Sequence, residues 1–222
     1  MRVAVPKEIK SGEKRVALVP DVISKFTKLG YEVVIESGAG VHAQATDKDY
    51  EAAGAKIAVE VIKDADVVLS VQPLTSQQAS GLKKGAVTIS FLSPTTSIEN
   101  IEALAKAGAT AFSMELVPRI SRAQSMDALT SQALCAGYKA ALIGAELSPR
   151  FFPLLMTAAG TVTPAQVLVL GAGVAGLQAI ATARRLGAVV SAYDVRPSSA
   201  DEVKSMGATF IELELESLAG AG

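Results

Sequence analysis

The sequence alternates short apolar runs rich in Val and Ile with segments that repeat apolar residues at helical spacing. This alternation is typical of βα units, whose parallel strands are buried on both faces by the connecting helices. It predicts a first doubly wound α/β domain over residues 1–123. Its predicted strands are residues 2–5, 32–36, 67–71, 87–91 and 110–113.

Several helices of this domain have recognisable ends. Pro20 opens the helix that follows the first strand, and Gly30 closes it. Two further segments have a hydroxyl residue followed three positions later by an acid, which is the spacing of a capping box: Thr46 with Asp49, and Thr96 with Glu99.

A second domain follows a long helical segment. Residues 124–148 have a continuous helical pattern that ends at Pro149, and we predict a connecting helix there. The alternation then resumes, with strands at 167–170, 189–193 and 209–211 and helices at 174–186 and 199–205. Three strands make one mononucleotide-binding half of a Rossmann fold. We therefore predict two Rossmann-like doubly wound parallel-sheet domains, the second (149–222) incomplete and ending abruptly in ELESLAGAG.

Composition excludes several classes of protein. Lys and Arg (21) nearly balance Asp and Glu (22) without a long basic run, which argues against nucleic-acid binding. His42 is the only histidine, so we predict no metal site, and Cys135 lies in an apolar helical segment typical of a buried structural thiol. The sequence has no signal peptide and no apolar run of about 18 residues, so we predict no membrane span and a cytoplasmic location.

The segment QVLVLGAGVAGLQ, residues 166–178, carries a GxGxxG pattern between a predicted strand and a predicted helix. In a dinucleotide-binding fold, Gly171 would end the strand in a tight turn and Gly173 would let the backbone approach a pyrophosphate. Gly176 would let the helix lie close to the sheet. The alternative is a glycine turn that only packs a helix on a strand.

An acidic residue follows at the distance that this motif requires. Asp194 comes 21 residues after Gly173, just past the next predicted strand. A carboxylate there accepts both hydrogen bonds of an adenine-ribose diol and repels a 2′-phosphate, which favours NAD over NADP. Arg196 weakens this preference, because a nearby arginine can accommodate the phosphate.

Polar residues cluster just before the long helix, in ELVPRISRAQSMDAL. Arg119, Arg122, Gln124, Ser125 and Asp127 lie within nine residues of each other at the predicted domain junction, and ligands usually bind in clefts between domains. Gln124 supplies both a donor and an acceptor, so the cluster suits a planar amide such as a nicotinamide carboxamide. The alternative is that Ser125 or Asp127 caps the helix while both arginines are solvated.

The segments PRISRAQSMDAL, AGYKA, TAAGTVTPAQVLVLGAGVAGLQAIATARRLGA and DVR resemble the NAD(H)-binding domain of proton-translocating NAD(P) transhydrogenase alpha subunits. The N-terminal VPKEIKSGEKRVALVPDVI and ESGAG are similar to the same superfamily, which includes alanine dehydrogenase. The resemblance covers essentially the whole chain. It implies Re/Si-specific hydride transfer between NAD(H) here and NADP(H) on a partner domain, coupled to proton movement through a membrane domain.

The same resemblance implies a homodimer that is peripheral to the inner membrane through its partner subunits. It assigns Arg119, Gln124 and Asp127 as catalytic residues beside the nicotinamide. The implied cofactor-binding residues are Arg119, Gln124, Ser125, Met126, Asp127, Thr130, Gly171, Ala172, Gly173, Val174, Gly176, Asp194, Val195 and Arg196.

The chain departs from alanine dehydrogenase where that enzyme does its chemistry. Arg15 matches the residue that grips the substrate carboxylate there, but Gln72 stands at the position of the catalytic lysine and Ser93 at that of the histidine. Oxidative deamination needs a general base and a group that activates water. Hydride transfer between two nicotinamides needs only alignment.

Two alternatives stay open, an alanine dehydrogenase-like oxidoreductase and a non-catalytic nucleotide-binding or dimerisation fragment. The resemblance places a second Rossmann half and a mobile tyrosine loop beyond Gly222. We therefore expect the isolated chain to be inactive.

Overall fold

A computed structural model describes residues 1–213 of the chain, so the ELESLAGAG segment lies outside the described residues. The predicted α/β class is confirmed. The chain divides into two compact units, Met1–Asp127 and Ala128–Gly222. The long helix therefore belongs to the second unit by its contacts.

The first unit contains a six-stranded parallel sheet in the order β3-β2-β1-β4-β5-β6, which is a doubly wound order with its switch point between β1 and β4. Two predicted strands end earlier than expected, and β3 was missed because three residues are too short to display alternation. The strands are β1 Arg2–Val5, β2 Glu32–Glu36, β3 Lys56–Ala58, β4 Val67–Leu69, β5 Val87–Ser90 and β6 Thr110–Ser113.

The helices of the first unit are α1 Pro20–Lys28, α2 Asp47–Ala52, α3 Ser76–Ser80 and α4 Ile98–Lys106. The Thr46 capping box is confirmed. The second predicted capping box is wrong, because α4 begins after Ser97 and the Thr96 hydroxyl donates to the carbonyl of Ser93 instead. Helix α3, which begins with a capping box between Thr75 and Gln78, was not predicted.

The described residues of the second unit contain a three-stranded parallel sheet in the order β11-β10-β9. Its helix α5 starts at Ala128, later than predicted, because residues 121–126 form a 3-10 helix. A short hairpin, β7 with β8, was also missed. The elements are α5 Ala128–Leu147, β7 Leu155–Thr157, β8 Gly160–Val162, β9 Gln166–Leu170, α6 Val174–Arg185, β10 Val189–Tyr193, α7 Ser199–Ser205 and β11 Thr209–Phe210.

Helix α5 packs against α6 through a small residue. A Cβ atom at Gly137 would lie 2.0 Å from the carbonyl oxygen of Ala175, so only glycine permits this approach. Cys135 is exposed, which makes the prediction of a buried thiol wrong. Because the apolar residues of α5 are spread around the helix, its sequence does not indicate which face is covered. Cys135 lies about 200° around the helix from the buried Gly137.

Residues 1–213 contain neither a candidate metal site nor a helix that could span a membrane. His42 is exposed, and no group of three or more acidic, His or Cys side chains in this range is arranged to hold a metal ion. No helix in the described region has both the length and the apolar character needed to cross a membrane.

Candidate nucleotide-binding site

The GxGxxG segment forms the corner between β9 and α6. Gly171 has φ +96°, a left-handed conformation that favours glycine. A Cβ atom at Gly176 would lie 1.8 Å from the carbonyl oxygen of Gly171, so this glycine allows the helix to approach the strand. At Gly173 a Cβ atom would meet no described atom within 4 Å. The backbone at Gly173 therefore faces open space, as a close-approaching ligand requires.

The first turn of α6 presents backbone donors at this corner. Gly173 is the N-cap residue in extended conformation, and no side chain caps this end within the described residues. The first backbone hydrogen bond of the helix runs from the Leu177 N–H to the carbonyl of Gly173. The N–H groups of Val174, Ala175 and Gly176 therefore lack intrahelical partners and, with the helix dipole, favour an anion.

Asp194 follows β10 and binds this corner directly. The Ala172 N–H donates to Oδ2 of Asp194 at 2.7 Å, and the Arg196 N–H donates to Oδ1 at 2.8 Å. The Asp194 side chain is only 7% exposed. The structure thus brings Gly171–Gly176 and Asp194 together, as their spacing predicts.

Arg196 covers the same carboxylate. Its Nε lies 3.1 Å from Oδ1 of Asp194 and its second guanidinium nitrogen 3.3 Å from Oδ2. This guanidinium, together with the Arg196 and Ala172 N–H groups, holds the pKa of Asp194 well below its usual range. Asp194 is therefore ionised at neutral pH, and a diol that binds it must share or displace Arg196. Neighbouring Val195 is 80% exposed.

The predicted site residues at positions 119–127 belong to the first unit. Thr130 lies in the first turn of α5. Arg119 is exposed between β6 and the 3-10 helix, and Gln124, Ser125 and Met126 are exposed on that helix. Ala123, on the same helix, is buried.

Asp127 occupies the position immediately before α5. This is the position of a helix N-cap, so the capping alternative remains open for Asp127. Ser125 lies two residues further from the helix and does not hold this position. The nucleotide-binding roles of these residues stay predictions.

Three positions relate the chain to alanine dehydrogenase, and all of them lie in the first unit. Arg15 matches the pattern of that enzyme, whereas Gln72 and Ser93 depart from it. Glu13 accepts hydrogen bonds from the Arg15 guanidinium (2.6 and 2.8 Å) and from Nε2 of Gln72 (2.7 Å). The hydrogen bond from Arg15 is the main reason that the pKa of Glu13 falls to about 2. Gln72 and Ser93 also line a cavity of about 460 Å³ beyond β1, β4 and β5. Neither side chain is a general base at neutral pH.

Comparison with known proteins agrees with this architecture. The family described as "Alanine dehydrogenase/PNT, N-terminal domain" matches residues 4–136, and the corresponding C-terminal domain family matches residues 140–219. The chain is 51% identical over 226 residues to the first part of the NAD(P) transhydrogenase alpha subunit of Rhodospirillum rubrum, covering 98% of this chain and 59% of that protein. It is also 35% identical to an alanine dehydrogenase of Mycobacterium tuberculosis, over 95% of this chain and 57% of that protein.

Among solved structures, the transhydrogenase of Sinorhizobium meliloti superposes with a TM-score of 0.93 at 51% identity, covering 96% of this chain and 64% of that one. The chain spans about three fifths of the length of the curated relatives described above. The two family matches together cover residues 4–136 and 140–219, which is most of the chain. The chain therefore belongs to the alanine dehydrogenase/PNT family of oxidoreductases, and its resemblance to transhydrogenase alpha subunits is confirmed.

Proposed function

We propose that this chain is the NAD(H)-binding component of a Re/Si-specific, proton-translocating NAD(P) transhydrogenase. Hydride then passes directly between NAD(H) on this chain and NADP(H) on a partner domain. The observation that carries the proposal is the hydrogen bond from the Ala172 N–H, in the glycine corner, to the carboxylate of Asp194. It joins the two elements of a dinucleotide-binding site, the phosphate corner and the ribose acid, in one structure.

The residues at this corner fit the adenine dinucleotide. The open space at Gly173 and the donors of Val174, Ala175 and Gly176 suit a pyrophosphate, and the ionised Asp194 suits a ribose diol. A carboxylate that is already ionised and oriented does not have to lose a proton to bind the diol. These features favour NAD(H) over NADP(H), whose 2′-phosphate Asp194 would repel.

Arg119, Gln124 and Asp127 are proposed to hold the nicotinamide through its carboxamide. When bound, the nicotinamide ring supplies the carbon that gives or receives the hydride. The protein's task is to orient that ring and to exclude water, because no proton is exchanged at the reacting carbons. Gln72 and Ser93, at the positions of the alanine dehydrogenase lysine and histidine, argue against amino-acid deamination.

The partners follow from the same proposal. They are an NADP(H)-binding domain or subunit, a membrane domain that carries the proton, and a second copy of this chain in a homodimer. The chain would then be cytoplasmic and peripheral to the inner membrane through its partners. Support comes from the R. rubrum relative, whose name describes one section of one subunit.

Hydride exchange in the complete alpha subunit, paired with an NADP(H)-binding partner, tests the proposal. We expect oxidation of NADH by an NADP analogue, and Gln124→Ala or Asp127→Ala should slow it at least about 100-fold by misaligning the ring. Asp201→Asn, an exposed change on α7, is the matched control. Alanine-dependent reduction of NAD without hydride exchange would instead favour an amino-acid dehydrogenase.

The third possibility, a non-catalytic module, requires a test on the 222-residue chain itself. NADH fluorescence titration measures its binding, and sedimentation measures its oligomeric state. We expect NADH binding without turnover by this chain alone. A stable dimer that does not bind NADH would favour a dimerisation module.

A further inference from the structure

We propose that Glu115 is a positioning residue for hydride transfer, which fixes the start of the 119–127 segment to the end of β5. This assignment rests on the proposed function. The contacts of Glu115 lie entirely within the first unit. Glu115 itself does not need to touch the nucleotide for this role.

Glu115 lies on the turn of 3-10 helix Met114–Leu116, directly after β6 and four residues before Arg119. Its carboxylate accepts the Leu92 N–H at 3.0 and 3.2 Å through its two oxygens. It also accepts the Ser93 N–H and the Ser113 hydroxyl. One side chain therefore joins the segment after β6 to the loop after β5.

The loop that receives Glu115 has an unusual conformation. Ser93 has φ +48°, a left-handed conformation that is uncommon for residues other than glycine. Its carbonyl accepts the N–H groups of Thr96 and Ser97, and its own N–H is bound by Glu115. Such a conformation persists where surrounding contacts over-determine it, so Glu115 holds a defined geometry at this point.

The charge state of Glu115 fits the hydrogen bonds that its carboxylate accepts. Burial alone would raise the pKa of Glu115, but hydrogen bonds from Ser113 and from backbone N–H groups bring it below its usual value. Within the described residues, the hydrogen-bond partners of this carboxylate are the N–H groups of Leu92 and Ser93 and the Ser113 hydroxyl, which are all donors. In Glu115→Gln, one of the acceptor oxygens is replaced by an NH₂ group that faces backbone N–H groups.

The position of Glu115 in the chain makes its effect on the site specific. The 119–127 segment begins four residues after Glu115 and contains Arg119, Gln124 and Asp127. If the start shifts, the groups proposed to hold the nicotinamide shift with it. The glycine corner and Asp194, which are proposed to bind the pyrophosphate and ribose, belong to the other unit and stay unchanged.

The test compares Glu115→Gln with Glu102→Gln, an exposed glutamate on α4, in the complete alpha subunit with its NADP(H)-binding partner. Because a misplacement of about 1 Å can cost about 100-fold in rate, we expect Glu115→Gln to lower kcat for hydride transfer by about 10- to 100-fold. The Kd for NADH, measured by fluorescence, should change by less than about 3-fold, since the proposed pyrophosphate and ribose contacts remain.

Ser113→Ala keeps the carboxylate and removes one donor, so it provides a milder variant if Glu115→Gln does not fold. We expect its kcat to fall by about 3- to 10-fold, and its melting temperature to fall by only a few degrees because one hydrogen bond to a charged group is lost. Normal kcat in these variants, or a parallel loss of kcat, NADH binding and thermal stability, would overturn the assignment. Absence of hydride exchange in the unsubstituted protein would overturn the proposed function, and the role of Glu115 with it.

Discussion

In the first unit, backbone N–H groups beyond β4 and β5 are bound by the protein's own carboxylates, whereas those that open α6 in the second unit are not. Glu8 accepts the N–H groups of Val71 and Gln72, and Glu115 accepts those that follow β5. At the start of α6 no side chain caps the helix within the described residues. We call the glutamate-bound loops after β4 and β5 the closed edge, and the start of α6, where Asp194 takes the Ala172 N–H but no side chain caps the helix, the open edge.

This difference supports the nucleotide site that we propose in the second unit. The carboxyl edge of a parallel sheet exposes N–H groups that need a partner. Where a glutamate supplies it, those donors are already occupied, and the segment after β1 that contributes Glu8, PKEIKSGEK, has no GxGxxG pattern. Where glycines replace side chains, the donors remain for a phosphate.

The largest expected effect on stability is at Gly176, in the first turn of α6 at the open edge. Gly176→Ala forces a methyl group onto the carbonyl of Gly171, and we expect it to cost about 3 kcal/mol or more of the second unit's free energy of unfolding. Gly173→Ala meets no described atom and should change it by less than about 0.5 kcal/mol. Urea unfolding measures both.

NADH titration of the same pair separates folding from binding. Gly173→Ala should fold normally and still bind NADH at least about 10-fold more weakly, because its methyl group fills the space of the pyrophosphate. Normal NADH binding by Gly173→Ala would contradict the assignment of this corner.

Asp194→Asn tests the acid at the open edge. Loss of its charge should weaken NADH binding by about 10- to 100-fold, the effect of removing a charged hydrogen-bond partner. Binding of NADPH should weaken less, because the repulsion of the 2′-phosphate is removed and Arg196 is released. Fluorescence titration with both nucleotides gives the ratio, with Asp201→Asn as control. An unchanged ratio would rule out Asp194 as the discriminating residue.

Glu8 at the closed edge and Glu13, which accepts a hydrogen bond from the Gln72 side chain, should show opposite pH effects. The pKa of Glu13 is lowered to about 2, mainly by Arg15, so its ionised form stabilises the fold above pH 4.5 and this contribution is lost as pH falls towards 2. Because Arg15 is partly solvated, we expect about 1 kcal/mol from this ion pair. Burial raises the pKa of Glu8, so its contribution is greatest below the unfolded pKa and falls as pH rises through the folded value.

Urea unfolding of Glu13→Gln and Glu8→Gln between about pH 2.5 and 7 measures these contributions. The stability difference between the unsubstituted protein and Glu13→Gln should grow with rising pH, whereas that for Glu8→Gln should shrink. Equal slopes for the two variants would contradict the charge distribution described for this edge.

The smallest effect is expected on α5, where two glycines have different surroundings. Gly144→Ala meets no described atom, so we expect it to stabilise the protein by about 0.5 to 1 kcal/mol through helix propensity. Gly137→Ala, on the same helix, should destabilise it because its methyl group meets the Ala175 carbonyl. Thermal unfolding compares the two, and stabilisation by Gly137→Ala would contradict the α5–α6 packing.

Features that depend on short spacing could be predicted from the amino acids. Alternating apolar runs predicted both parallel sheets, and the glycine spacing with Asp194 predicted the corner that the structure assembles. The segment RISRAQSMD indicated the transhydrogenase resemblance. Each signal lies within a few residues or one βα unit, where backbone periodicity and glycine conformation act directly.

The side chains that bind the closed edge could not be predicted, because they come from distant parts of the chain. Glu8 meets Val71 across 63 positions and Glu115 meets Ser93 across 22, and no local pattern encodes such pairs. The exposure of Cys135 was likewise hidden, because an apolar helix does not specify its covered face. These outcomes depend on how separate elements pack, so they are determined by long-range contacts that local periodicity does not specify.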